Sequence, residues 1–121
     1  MKQMYIKSWS ETITATHSKY VLADRVDPGE VLLIKNCYAW QPSRTANDIV
    51  RIGVRNGGVD TYLRVRGSGA QEYGLSAVNE FLVGEGDQVF AYFPDADATN
   101  VVSLHLNGIR MSLDDWLQGA E

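Results

Sequence analysis

The chain has 121 residues, 45% of them hydrophobic and 21% charged, proportions that match an ordinary globular protein and exclude a disordered chain, a fibre or a membrane span. Its length fits one domain, residues 1–121, able to bury roughly 65% of the surface that its unfolded form exposes. With 15 acidic residues against 11 basic ones and a net charge of -4, nucleic acid is excluded as a general partner, and any anion site must be local.

The amino terminus, MKQMYIKSWSETITATHSKY, has lysines but no continuous apolar stretch, which predicts no secretory signal. Residues 1–9 are expected as a flexible arm. Beyond them, runs rich in Val, Ile, Thr, Tyr and Phe recur about every ten residues between Gly, Pro, Asn and Asp clusters, the pattern of an all-β sandwich or barrel. Strands are predicted near 10–16, 20–25, 31–39, 48–56, 59–66, 72–77, 80–83, 87–93 and 100–110.

In RVDPGEVLLI, Pro28 presets one dihedral of a type II turn and Gly29 takes the positive one, and a buried strand follows. That strand contains Cys37, the only cysteine, which can form neither an intrachain disulfide nor a metal cluster. It reads as an inert packing thiol, because no motif links His17 or His105 to it. The loop YAWQPSRTAND then places Trp40 and Arg44, both typical interface anchors, although Trp40 would equally close the end of the core.

RIGVRNGGVDTYLRVRG, from Arg51 to Gly67, reads as a hairpin with four arginines. A Gly57–Gly58 turn, preferred to one at Asn56–Gly57 that also keeps an apolar face but loses the Arg55–Asp60 pairing, supplies the positive dihedrals of a two-residue loop. It sets Asn56 opposite Val59, Arg55 opposite Asp60, Val54 opposite Thr61, Gly53 opposite Tyr62, Ile52 opposite Leu63, Arg51 opposite Arg64 and Val50 opposite Val65. Val50, Ile52, Val54, Thr61, Leu63 and Val65 then form an apolar face, with Arg51, Gly53, Arg55, Asp60, Tyr62, Arg64 and Arg66 on the other.

Arg55 and Asp60 are expected to pair, and Tyr62 to cover Gly53. Arg51 against Arg64 is a like-charge pair, unfavourable by up to about 1 kcal/mol, which something outside the hairpin should offset. Either these arginines splay into solvent, screened by carboxylates, or the face meets an acidic protein surface, or it takes a small anion or sugar. Stretches such as PDADA and LDDW make a copy of the same chain a plausible neighbour.

In LVGEGDQVFAYF a Gly84, Gly86, Asp87 corner precedes Val89, Ala91 and Phe93 on one face. PDADATN lacks the glycine and distant glutamate of a calcium loop, so no metal is expected. In NVVSLHLNG, Val102, Leu104 and Leu106 turn inward and Val101, Ser103 and His105 outward, with His105 a solvated strand residue. A short helix is predicted over 112–118: Ser112 caps it, Asp114 and Asp115 favour its amino end, and Gly119 suits its carboxy-terminal cap. Its Leu113, Trp116 and Leu117 face must dock, either on an end of its own sandwich or on a neighbouring subunit.

The chain carries no GxSxG, Walker, HExxH or CxxC motif, so neither enzymatic activity nor a cofactor is expected. ATHSKYVLADRVDPGEVLLIKNCYAW, NDIVRIGVRNGGVDTYLRV, FLVGEGDQVFAYF and VVSLHLNGIRM, in that order, resemble jelly-roll decoration (cement) proteins of tailed-phage capsids. The resemblance covers roughly residues 14–111.

It implies a single-domain jelly-roll-like β-sandwich that binds the major capsid protein on the outside of a shell and bridges shell subunits. The protein would be made in the host cytoplasm and act on the virion surface, as a homotrimer without cofactor, nucleic acid or membrane. The contacts expected for it come from the hairpin and loop residues themselves, not from the resemblance: Arg51, Arg55, Tyr62, Arg64, Arg66, Trp40 and Arg44. The alternative is a carbohydrate- or receptor-binding module of a tail or fibre, using Trp40, Tyr62 and Tyr92.

Overall fold

The computed structural model describes residues 2–13, 17–41, 50–66, 74–76, 79–96 and 101–118, with side chains left undescribed at 17–18, 64–66, 74–76 and 94–96. Nine strands and one short helix follow in order: β1 (Lys2–Thr12), β2 (His17–Leu22), β3 (Glu30–Trp40), β4 (Val50–Asn56), β5 (Val59–Arg66), β6 (Gly74–Ser76), β7 (Phe81–Val83), β8 (Gln88–Ala96), β9 (Val101–Ser112) and α1 (Leu113–Leu117). They form an all-β sandwich. Sheet A runs β1-β9-β3-β6, with β7 also on β3, and sheet B runs β2-β8-β4-β5. All strand pairs are antiparallel.

Period-two alternation explains the core. Val102, Leu104 and Leu106 of β9 and Val89, Ala91 and Phe93 of β8 are buried and meet Val21, Ile34 and Ile52 in one apolar cluster. The intervening residues turn outward. The Pro28–Gly29 turn closes with Glu30 N–H donating to the Asp27 carbonyl at 3.1 Å, and the corner before β8 with Asp87 N–H donating to Gly84 at 3.1 Å.

At the carboxy terminus the Ser112 hydroxyl accepts from Asp115 N–H at 3.0 Å, the cap that its position predicts. Leu113 N–H reaches the Gly29 carbonyl at 2.8 Å, tying α1 to the turn before β3. The helix touches β9 and β3 of its own sheet. Docking is partial, because Leu117 stays 70% exposed. Gln118 is the carboxy-terminal cap, and Gly119 lies outside the described residues.

Two expectations are corrected. The first concerns residues 1–9, read as a flexible arm: Lys2–Thr12 is an edge strand, in unbroken register with β9 from Lys2 opposite Met111 to Thr12 opposite Val101. Lys7 disguises the alternation, yet between core-facing Tyr5 and Trp9 it is neutralised by Asp24 at 3.1 Å. Trp9 also donates from Nε1 to Asp24 at 3.3 Å.

The second concerns the hairpin. Gly57 and Gly58 have φ of 58° and 84°, as a two-residue loop requires, and the register holds from Asn56–Val59 to Gly53–Tyr62. There it shifts by one residue. Ile52 lies opposite Arg64, Arg51 opposite Val65 and Val50 opposite Arg66. Leu63 is the extra residue of a β-bulge, and it is 42% exposed instead of lining the core. The bulge removes the Arg51–Arg64 opposition altogether.

Candidate protein-contact face

Sheet B turns one face to the core and the other outward. Opposite residues of an antiparallel pair share a face, so the pairs Arg51–Tyr92, Gly53–Phe90, Tyr20–Tyr92 and Leu22–Phe90 bring these side chains to the outer surface. Tyr62 and Asp60 join them from β5 through Gly53 and Arg55. The result is a patch of aromatic rings and arginines that crosses all four strands of the sheet.

Phe90 forms its floor. Although it points away from the core cluster, it is 0% exposed. Tyr20 and Tyr62 meet its ring edge to face at 5.6 and 5.9 Å, a geometry that the aromatic quadrupole favours. Tyr20 and Tyr92 lie 4.5 Å apart. The bare backbone of Gly53 creates the hollow: a Cβ there would sit 2.7 Å from the Phe90 ring. Tyr62 was expected to cover Gly53, and Phe90 fills that space as well.

The two described arginines lie over the rings instead of splaying into solvent. Arg55 stands 4.8 Å from the Tyr20 centroid and 5.7 Å from that of Phe90, and forks onto Asp60 with Nε–Oδ1 at 2.8 Å and Nη2–Oδ2 at 3.2 Å. This pair is the expected one. Its hydrogen bonds hold the Asp60 carboxyl below the ordinary carboxylate range and raise the Arg55 guanidinium. Burial lifts the Tyr20 phenol, helped by Tyr62 and Asp60.

Arg51 differs. Its guanidinium lies 5.1 Å from the Tyr62 centroid and 5.5 Å from that of Tyr92, contacts worth about 0.5–1 kcal/mol each at a surface. Its hydrogen-bond partner among the described residues is the Tyr62 hydroxyl at 3.5 Å, and no carboxylate among them comes within ion-pair distance. A planar guanidinium held by two rings, with no carboxylate of the described residues upon it, has the geometry for bidentate pairing with a carboxylate.

The other expected contact residues divide. Arg51, Arg55 and Tyr62 are assembled on this face. The side chains of Arg64 and Arg66, and all of Arg44, lie outside the described residues. Trp40, 39% exposed, stands on sheet A, with Ser103 and Gly74 as its cross-strand partners. It is therefore not part of the arginine face, and Trp40, Tyr62 and Tyr92 do not form one sugar-stacking platform. Tyr20 and Phe90 were not expected as site residues. The signal for Phe90 was available in the alternation of VFAYF, where it and Tyr92 fall opposite Val89, Ala91 and Phe93.

Two reactive side chains lie elsewhere. Cys37 is buried, and burial pushes its thiol up to about 12, which fits an inert packing residue. His105 is exposed on sheet A between Ser8 Oγ, 2.8 Å from Nδ1, and Ser103 Oγ, 2.9 Å from Nε2. Among the described residues no group of three or more His, Cys, Asp or Glu could hold a metal, and no helix is long and apolar enough to cross a membrane.

No family model matches the sequence, and no curated protein does. Among solved structures, a chain of the acidic stable capsid of Helicobacter pylori bacteriophage KHP30 aligns over 93% of this chain and 99% of its own, with TM-score 0.63 and 11% identity. The two chains share a fold. Lower similarity is found to the Drosophila NLP core, over 91% of this chain and 99% of that one, with TM-score 0.39 and 18% identity. A family two carbohydrate esterase from Cellvibrio japonicus aligns over 93% of this chain and 34% of its own, with TM-score 0.32 and 10% identity.

Proposed function

We propose that this chain is a structural virion protein that binds the outside of a phage shell and stabilises it by bridging shell subunits. The observation that carries the reading is the fold shared with a phage capsid chain along nearly the whole length of both. The strand orders β1-β9-β3-β6 and β2-β8-β4-β5, in which the first strand returns beside the last, suit a jelly roll. The partner is the major capsid protein, met through the arginine–tyrosine face, and no catalysis or cofactor is involved.

The physical logic is multivalent. A rigid sandwich has little ordering entropy to lose on docking, and several weak contacts on one body bind far more tightly than each alone when their spacing matches the lattice. Arg51 supplies one such contact, to a shell carboxylate. Copies joined into an oligomer would multiply it. The test is binding to empty shells that lack the protein, with wild type and with Arg51→Glu. Loss of binding in the variant supports the reading, and unchanged binding removes this face from the interface.

A further inference from the structure

The opposite side of the sandwich carries a second surface of different chemistry. On the outer face of sheet A, Met4 lies opposite Ile109, Ile109 opposite Leu33, and Leu33 opposite Leu82, one apolar row across four strands. Met4 is 81% exposed and Ile6, beside it, 66% exposed. Farther along, Tyr38 and Trp40 are exposed on the same face. Ser8, His105, Asn36 and Asn107 separate the Met4 row from Tyr38 and Trp40, and exposed apolar side chains gathered in this way mark an interaction site.

Charge chooses the occupant. Between the Met4 and Trp40 rows, the charged side chains described on this face are Lys35 and its partner Glu80, 3.2 Å apart, so this stretch is neutral, with Lys2 one row beyond it. Two-fold packing sets a patch against itself and penalises net charge, because like signs then meet across the axis. The arginine face, with Arg51 and Arg55 against Asp60, fails this condition. The neutral stretch meets it.

Shape and size agree. Hollows of about 250 Å³, beside Met4, Ile6 and Lys35, and about 340 Å³, beside Ser8, Tyr38 and His105, lie next to the projecting Met4 and Ile6 side chains. Four strands wide and seven residues long, from Met4 to Ser10 on β1 and from Ser103 to Ile109 on β9, the stretch between those rows spans roughly 20 by 23 Å. That is somewhat over half of the roughly 800 Å² that each partner contributes to a standard interface, the size of a pair that dissociates on dilution.

We propose that the outer face of sheet A packs on the same face of a second copy of this chain about a two-fold axis, each Ile6 entering the partner's hollow. The four stacked sheets then carry an arginine face on each outer side, about 30 Å apart. This is a bivalent bridge, and it replaces the threefold arrangement that the resemblance implies.

Sedimentation velocity of the full chain over a concentration series tests this. Wild type is expected at twice the 13.4 kDa of one chain, dissociating on dilution. Ile6→Glu and, separately, Met4→Glu bury an unpaired carboxylate at the contact and are expected to weaken pairing at least about a hundred-fold. At concentrations where wild type is also a single chain, their thermal melts should match its melt, since both positions are exposed in one chain. Arg51→Glu, on the far side, keeps the pair.

A single-chain mass for wild type at every concentration overturns the proposal, as does a three-chain mass. So does pairing that survives both glutamates. Shell binding is read separately: a pair that forms yet does not bind shells overturns the proposed function and leaves this interface standing.

Discussion

Phe90 occupies the space that Gly53 leaves open: a Cβ at position 53 would lie 2.7 Å from the Phe90 ring and 2.3 Å from the Thr61 carbonyl. One neighbour is backbone in the edge strand and the other a ring locked between two tyrosines, so neither yields cheaply. Gly53→Ala is therefore expected to destabilise the chain by about 2–3 kcal/mol, lowering Tm by roughly 10 °C. A thermal melt checks it, and a variant as stable as wild type would mean that the aromatic floor is not packed as described.

The Arg55–Asp60 fork predicts a pH dependence. Because Arg55 holds the Asp60 carboxyl below its ordinary value in the folded chain, the unfolded chain binds the proton more readily. The stabilisation is fully present above the unfolded value near 3.9 and is lost as pH falls through the lower folded one. Asp60→Asn should cost about 1 kcal/mol at pH 7, with the gap from wild type closing below about pH 4. Melts of both proteins across that range measure it, and a gap independent of pH would refute the linkage.

Cys37 should resist alkylation until the sandwich opens. With its thiol pushed up to about 12 and its side chain buried, the native protein at pH 8 should react more than about a thousand-fold slower than the denatured chain. A thiol-labelling time course with and without denaturant decides this. Rapid native labelling would place Cys37 at the surface.

The Ser112 cap predicts a smaller effect. Ser112→Ala removes the acceptor of Asp115 N–H and should cost about 1 kcal/mol. Because α1 is joined to the Pro28–Gly29 turn by Leu113, amide exchange should rise there as well as in the helix. Faster exchange in the helix alone would show that the two are not coupled.

Where local chemistry dictates geometry, the fold was legible in the sequence. Pro28–Gly29, Gly57–Gly58 and the Ser112 cap each force one local conformation, and the structure contains all three. Alternation in VVSLHLNG and VFAYF fixed which side chains enter the core. The features that escaped depend on distant partners. Lys7 looks like a break in a strand until Asp24, in the connection between β2 and β3, neutralises it, so residues 1–9 read as an arm.

The Leu63 bulge has no local mark either, because only pairing with β4 reveals the extra residue. Its consequence was large, since the apparent clash between Arg51 and Arg64 came from carrying the register beyond Gly53–Tyr62, where it slips by one residue. What remains of the arginine question is narrower. Asp60 and aromatic rings balance Arg55, whereas among the described residues Arg51 has two rings and the Tyr62 hydroxyl but no carboxylate.

That difference makes Arg51 the place to test the functional reading. Wild type, Arg51→Glu and Arg51→Lys should be titrated onto empty phage shells lacking the protein, with bound chain measured by co-sedimentation at two salt concentrations. Wild type is expected to bind, Arg51→Lys to bind about ten-fold more weakly because it cannot fork onto a carboxylate, and Arg51→Glu to lose binding. Equal binding by all three would contradict docking through this face, and absence of wild-type binding would contradict the virion role itself.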